Sequence, residues 1–133
     1  MARYRTHCAE LDIPLKQPPF RFPQNGLKAA RIALAYEREP WMTAFTHGVY
    51  VANFGEQKDV SDDATLFKIL SDLDVDAEHA SVAANSSENK QRLKEKTDEA
   101  IVRGIYGAPS FTVGAELFWG NDRLERAVDW ALR

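Results

Sequence analysis

The sequence predicts a mostly helical α/β chain, and three observations carry that prediction. Helical periodicity fills most of residues 26 to 104, a proline-punctuated stretch precedes it, and residues 104 to 124 read as a helix end, an Ala-Pro bend, a short hairpin and an acidic start to a last helix. At 133 residues the chain is the size of a single domain. With 44% hydrophobic and 28% charged residues it is neither disordered nor membrane-spanning. A net charge of -3 makes no electrostatic case for nucleic acid. No apolar run approaches the roughly 20 residues of a spanning helix. The N-terminus lacks the apolar core of a signal peptide, which points to the cytoplasm or an equivalent reducing compartment.

Ala2 to Leu11 should form a short helix that ends before Pro14. It holds the single cysteine, Cys8, and without a Cys-x-x-Cys the chain cannot run a dithiol mechanism by itself. Cys8 is expected to pack as a small hydrophobe. Pro14, Pro18, Pro19 and Pro23 keep Asp12 to Pro23 extended and non-helical.

Asn25 should cap the next helix, with Leu27, Ala30 and Leu34 on one face and Pro40 beyond its end. Trp41, Phe45, Val49 and Ala52 then form a stripe at helical spacing, expected to face the core. Ser61, Asp62 and Asp63 open another helix whose buried side is Leu66, Leu70 and Leu73. A short Ala-rich helix follows around Ala77 to Ala84. Ser87 is expected to cap a long helix in which Leu93, Thr97, Ile101 and Gly104 share a face. Along it, Glu88 with Arg92 and Glu99 with Arg103 are favourable pairs worth about 0.2–0.5 kcal/mol each.

Gly104 and Gly107 are helix-ending residues, and Pro109 lacks a main-chain donor, so the chain must leave the helix there. Ala108 is thereby pushed toward an extended backbone. Ser110 to Val113 and Glu116 to Trp119, separated by Gly114-Ala115, make a tight antiparallel hairpin. After Gly120, Asn121 is expected to be an N-cap and Asp122 to occupy the first turn, where the helix dipole favours an acid. Leu124, Val128, Ala131 and Leu132 make one apolar face of the last helix.

Other chemistries fail on spacing. His7, His47 and His79 are scattered too widely for a metal site. Asp72, Asp74 and Asp76 alternate as in a calcium loop, but Ala77 stands where that loop needs its turn glycine and Ala83 where it needs a bidentate glutamate. No Gly-rich phosphate loop and no Gly-x-Ser-x-Gly is present.

Three pieces, Phe22 to Arg31, Gly107 to Phe111 and Leu117 to Leu124, together resemble the 2-hydroxychromene-2-carboxylate isomerase family, relatives of kappa-class glutathione transferases in the DsbA-like thioredoxin superfamily. The resemblance runs along nearly the whole chain. It implies a thioredoxin-like fold with an inserted helical domain: residues 1–25 as an N-terminal helix and connection, 26–104 as the helical insert, and 105–133 as the closing hairpin and helix. It implies that Pro109 is the cis proline of the fold and that the Ala108 backbone pairs with the cysteinyl unit of glutathione. Asn121 and Asp122 match the positions that hold the γ-glutamyl end. Tyr50, Asn53 and Phe54 could line the substrate pocket, although their stretch also serves as core packing. Members of the family begin with a strand and helix bearing a catalytic serine, a segment without a counterpart in these residues, so the thioredoxin-like part is expected to be incomplete.

Two functions follow from this resemblance. One is a glutathione-dependent isomerase or transferase acting on a small aromatic-derived electrophile, inactive or incomplete in this shortened form. In that account the cofactor's thiol adds to the substrate, allows a bond to rotate and is expelled. The other is a non-catalytic oligomeric module derived from the same family. Because a two-stranded hairpin is marginal alone and an exposed strand edge invites pairing, a homodimer or higher assembly is expected in either case.

Overall fold

The computed structural model of the chain describes residues 2–16 and 22–133. Pro18 and Pro19 of the expected extended connection lie outside the described residues. Among the described residues there are seven α-helices and one two-stranded sheet, in the order α1 (Ala2–Glu10), α2 (Leu27–Ala35), α3 (Met42–Tyr50), α4 (Asp63–Ser71), α5 (Ala77–Ala84), α6 (Ser87–Val102), β1 (Ser110–Val113), β2 (Glu116–Trp119) and α7 (Leu124–Ala131). The chain divides into two compact units, Met1–Leu93 and Lys94–Arg133. No helix among the described residues is long and apolar enough to cross a membrane.

In the first unit, α2 packs on α3 and α5, and α4 packs on the same two helices, so the four close around one core. That core holds Ala29, Ile32, Phe45, Leu66, Leu70, Ala77, Ala80 and Ala84. The stripe read from the sequence faces it: Phe45 and Ala52 are buried, and Trp41 and Val49 are half-buried at its margin. Trp41 meets Phe45 edge to face, with ring centroids 6.2 Å apart. Small residues allow the close approaches, since a Cβ on Gly48 of α3 would stand 2.9 Å from Cγ2 of Ile69 in α4. Tyr36, packed at the edge of this core, has its phenol pKa raised by burial and by the nearby Glu39 and Asp76, which keeps it protonated.

Helix starts explain several acidic residues. The carboxylate of Asp62 accepts from the Ala64 N–H at 3.2 Å and caps α4, while Ser61 sits before it in a turn made with Asp59. Asp76 accepts from the His79 N–H at 2.9 Å and caps α5. Asp72 pairs with Lys68 at 2.9 Å, and Asp74 takes a left-handed φ of 58° in the turn between the two helices. The alternating aspartates are thus spent on helix ends and a turn. Asn25 Oδ1 accepts from the Leu27 N–H at 3.0 Å, one residue before the turn closes at Gly26.

Two details depart from the sequence reading. The cap of α6 is Ser86, whose Oγ accepts from the Asn89 N–H at 3.2 Å, so Ser87 is already the first helical residue. Arg92 turns to Glu37 at 3.0 Å, because a carboxylate beyond the α2 end reaches its guanidinium across the packed helices. Glu99 and Arg103 pair along α6 as expected, at 2.6 Å.

The second unit is smaller. β1 and β2 are antiparallel, with Ser110 opposite Trp119 and Val113 opposite Glu116. Their two-residue connection places Gly114 at φ +59, the first central position of a type II′ turn, which suits the twist of a hairpin. α7 packs on both strands, and Ala127 is its buried residue.

Candidate functional site

The end of α6 sets up the second unit's candidate site. Gly104 turns left-handed at φ +73; its N–H donates to the Ile101 C=O and the Ile105 N–H donates to the Ala100 C=O, both at 2.9 Å. This is a Schellman ending, which satisfies the last helical carbonyls and releases the chain. Tyr106 and Gly107 follow, then a cis Ala108-Pro109 bond, then β1. The Ser110 hydroxyl donates to the Gly107 C=O at 2.5 Å and fixes the bend.

At the far end of the hairpin pairing, the Gly120 N–H donates to the Pro109 C=O at 3.0 Å. Gly120 adopts φ +112, and a Cβ there would stand 2.6 Å from Asp122 Oδ1, so only glycine fits. Asn121–Arg123 then form one 3-10 turn that runs into α7, with Arg123 N–H donating to the Gly120 C=O. Asn121 is therefore inside the helical turn and Gly120 takes the cap position, which corrects the expectation that Asn121 is the N-cap. Asp122 does lie in the first turn.

Ala108, Pro109, Asn121 and Asp122 are thus brought together by one backbone hydrogen bond. Ala108 is exposed, and neither its N–H nor its C=O has a hydrogen-bond partner among the described residues. The Asp122 carboxylate is also exposed, with no ion pair or hydrogen bond among those residues. An extended peptide unit and an ammonium group are what such an arrangement can take: paired N–H and C=O groups for the first, a carboxylate acceptor for the second.

Tyr50, Asn53 and Phe54 lie in the first unit. There α3 passes into a π turn over Val51–Gly55, closed by the Glu56 N–H to the Val51 C=O at 2.9 Å. The cause is packing at its end: a Cβ on Gly55 would meet the Pro14 carbonyl oxygen at 3.2 Å, and the Lys16 N–H donates to the Phe54 C=O at 2.7 Å. Tyr50 and Phe54 stack with centroids 6.2 Å apart and planes 14° apart. Phe22 approaches Phe54 from another side at 6.4 Å. Asn53 is half-buried, and its Oδ1 is buried without a hydrogen-bond partner. The trio therefore presents aromatic surface and one unsatisfied amide oxygen.

Sequence reasoning missed two features. Gln24 uses both ends of its amide, accepting from the Val60 N–H at 2.7 Å and donating to the Lys58 C=O at 3.1 Å, and so ties the start of the helical region to the loop after the π turn. Its place between Pro23 and Asn25 was the only signal. The second is the Tyr106 and Trp119 ring pair beside the Ala108 bend, with centroids 5.0 Å apart. A Cβ on Gly107 would lie 2.6 Å from Trp119 Nε1, so the indole rests against the bare glycine backbone. Gly107→Ala is expected to displace that ring at a cost of about 1–3 kcal/mol, read as an altered near-UV circular dichroism signal and an earlier unfolding midpoint. Among the described residues, no group of three or more His, Cys, Asp or Glu could hold a metal ion.

The cis-proline bend, the hairpin and the closing helix, next to a bundle of helices, define a class. The chain matches the DSBA-like thioredoxin domain over residues 1–130, and it belongs to that family. It is 28% identical over 126 residues to the 2-hydroxychromene-2-carboxylate isomerase of Sphingobium xenophagum, a match that covers 94% of this chain and 63% of that protein. The enzyme of the same name from Pseudomonas putida is 42% identical over a shorter stretch of 40 residues, 30% of this chain and 20% of that protein. A solved structure of a 2-hydroxychromene-2-carboxylate isomerase superposes with a TM-score of 0.77 at 23% identity, covering 98% of this chain and 63% of that one. The fold is therefore α/β, mostly helical and DsbA-like. The chain spans about 63% of the length of the Sphingobium relative.

Proposed function

We propose that this chain carries the glutathione-holding part of an isomerase of the 2-hydroxychromene-2-carboxylate type, with a small aromatic-derived electrophile as substrate. The observation that supports this reading best is the Gly120 N–H to Pro109 C=O bond, because it joins an unpaired, exposed Ala108 main chain to an exposed Asp122 carboxylate. The residues present fit glutathione. Ala108 would pair through its N–H and C=O with the cysteinyl peptide unit, Asp122 would accept from the γ-glutamyl ammonium, and Asn121 stands beside it. When bound, glutathione supplies a thiol nucleophile. The chain's own part is to bind and orient, with Pro109 shaping the bend and Tyr50, Phe54 and Asn53 offering ring faces and an amide oxygen to an aromatic substrate. A reducing cytoplasm, where glutathione is kept as the thiol, suits this chemistry.

The test is an isothermal titration of glutathione into the chain and into Asp122→Ala. Loss of a charge-assisted hydrogen bond is worth about 1.5–3 kcal/mol, so the variant should bind at least tenfold more weakly. Absence of binding by the parent chain would overturn the reading.

A second reading, a non-catalytic oligomeric module, is favoured by the second unit's surface. Its sheet has two strands, and α7 leaves Leu124, Val128 and Leu132 exposed. Under both readings the chain is a homo-oligomer in solution. Size-exclusion chromatography with light scattering should give at least twice the chain's 15.0 kDa, and a clean monomer would count against this.

A further inference from the structure

Tyr106 and Trp119 are 71% and 51% exposed, yet they hold each other at a centroid distance of 5.0 Å with a tilt of 54°. Single exposed aromatics are ordinary on a protein surface. This pair differs in three respects. Its two members come from opposite sides of the Ala108-Pro109 bend, one from the end of the α6 exit and one from the last residue of β2. Trp119 is cross-strand partner to Ser110 and leans on Gly107, so its ring is fixed against the same four residues that present Ala108. Neither the indole N–H nor the phenol hydroxyl has a hydrogen-bond partner among the described residues, which leaves two oriented donors at the rim of two ring faces.

We infer that Tyr106 and Trp119 form an aromatic clamp that binds the planar ring system of a negatively charged aromatic substrate next to the Ala108 main chain. The inference rests on the reading of the site as one for an aromatic electrophile, and it names where the ring goes in the second unit. Ring faces supply stacking, and tilted or offset aromatic pairs are the favoured geometry. The indole N–H and the phenol hydroxyl are donors, and a carboxylate or ring hydroxyl is the acceptor that matches them. A second, separate aromatic surface at Tyr50 and Phe54 belongs to the first unit and is not needed for this argument.

The probe is 2-naphthoate, a planar aromatic carboxylate, titrated into the 15N-labelled chain without glutathione. The Trp119 indole N–H, assigned by its disappearance in Trp119→Phe, should shift together with the Gly107 and Ala108 amides, while the Trp41 and Trp130 indoles stay in place. Tyr106→Ala should weaken the naphthoate affinity about three- to tenfold, and Tyr106→Phe should restore most of it because the ring remains. Because Tyr106 is largely exposed, a dispersed spectrum of Tyr106→Ala will confirm that the loss is one of binding. Unmoved Trp119 signals, or equal affinity in Tyr106→Ala, would overturn the clamp. The two readings fail separately: glutathione binding that depends on Asp122, with no naphthoate effect at Trp119, removes the clamp alone. Naphthoate binding at Trp119 without glutathione binding keeps the clamp and removes the cofactor.

Discussion

Phe45→Ala is expected to lower stability by about 3–5 kcal/mol, the range for truncating a buried phenylalanine, and so to remove a large share of the marginal 5–15 kcal/mol that holds a typical domain. Phe45 is 1% exposed and stands where α3 faces the other helices of the closed ring. Removing its ring deletes the edge-to-face partner of Trp41 and leaves a void that fixed helix backbones cannot fill. Urea unfolding followed by far-UV circular dichroism should show an earlier midpoint with an unchanged slope. Tyr50→Ala, a change at an exposed ring on the same helix, should by contrast move the midpoint little. Equal effects of the two would mean that α3 is not the inner wall of this core.

Asn89→Asp is expected to be the next most damaging exchange, although it replaces one atom. Asn89 is the buried polar residue of α6, at 4% exposure, and its Nδ2 donates to the Arg31 C=O at 2.9 Å and to the Ala84 C=O at 2.8 Å. A carboxylate has no proton for either carbonyl, and it would place negative charge against two oxygens in a site closed to water. The loss should reach at least about 1–3 kcal/mol near neutral pH. Burial raises the pKa of the introduced carboxyl in the folded state above its unfolded value. The folded variant then binds more protons than the unfolded one between those values, so its deficit shrinks as the pH falls. Unfolding midpoints at pH 7 and pH 4.5 check the sign: the gap from the parent chain should be smaller at the lower pH.

How much of this was legible in the sequence differs by element. The stripe of Trp41, Phe45, Val49 and Ala52 and the row of Leu66 and Leu70 were readable because burial follows periodicity, and periodicity is local. The hairpin was readable from Gly114 and the residues that flank it. Helix caps were readable to within one residue, since Ser86 and Ser87 offer the same hydroxyl and only the backbone decides which one lies outside the helix. Asn121 misled for the same reason: Gly120 alone can take φ +112, and that moves the cap one place back. The π turn at Val51–Gly55 had no local signal. It follows from Gly55 meeting Pro14, a contact between distant positions. The Arg92 partner, Glu37, was likewise hidden, because pairing along a helix is visible in the sequence and pairing between helices is not. In the candidate site, Ala108, Pro109, Asn121 and Asp122 were each visible as motif residues. The hydrogen bond that makes them neighbours was not.

That bond sits at one end of the hairpin, and the Gly114-Ala115 turn sits at the other. The hairpin is therefore a short lever clamped at its base, with the four paired positions from Ser110 to Val113 between the clamp and the free tip. Changes of length or chemistry at the tip are insulated from the base by the pairing in between. Ala115 is exposed, so it is a natural place to attach a dye, a spin label or a surface tether, and a reporter there would follow events at the Ala108 end without occupying it.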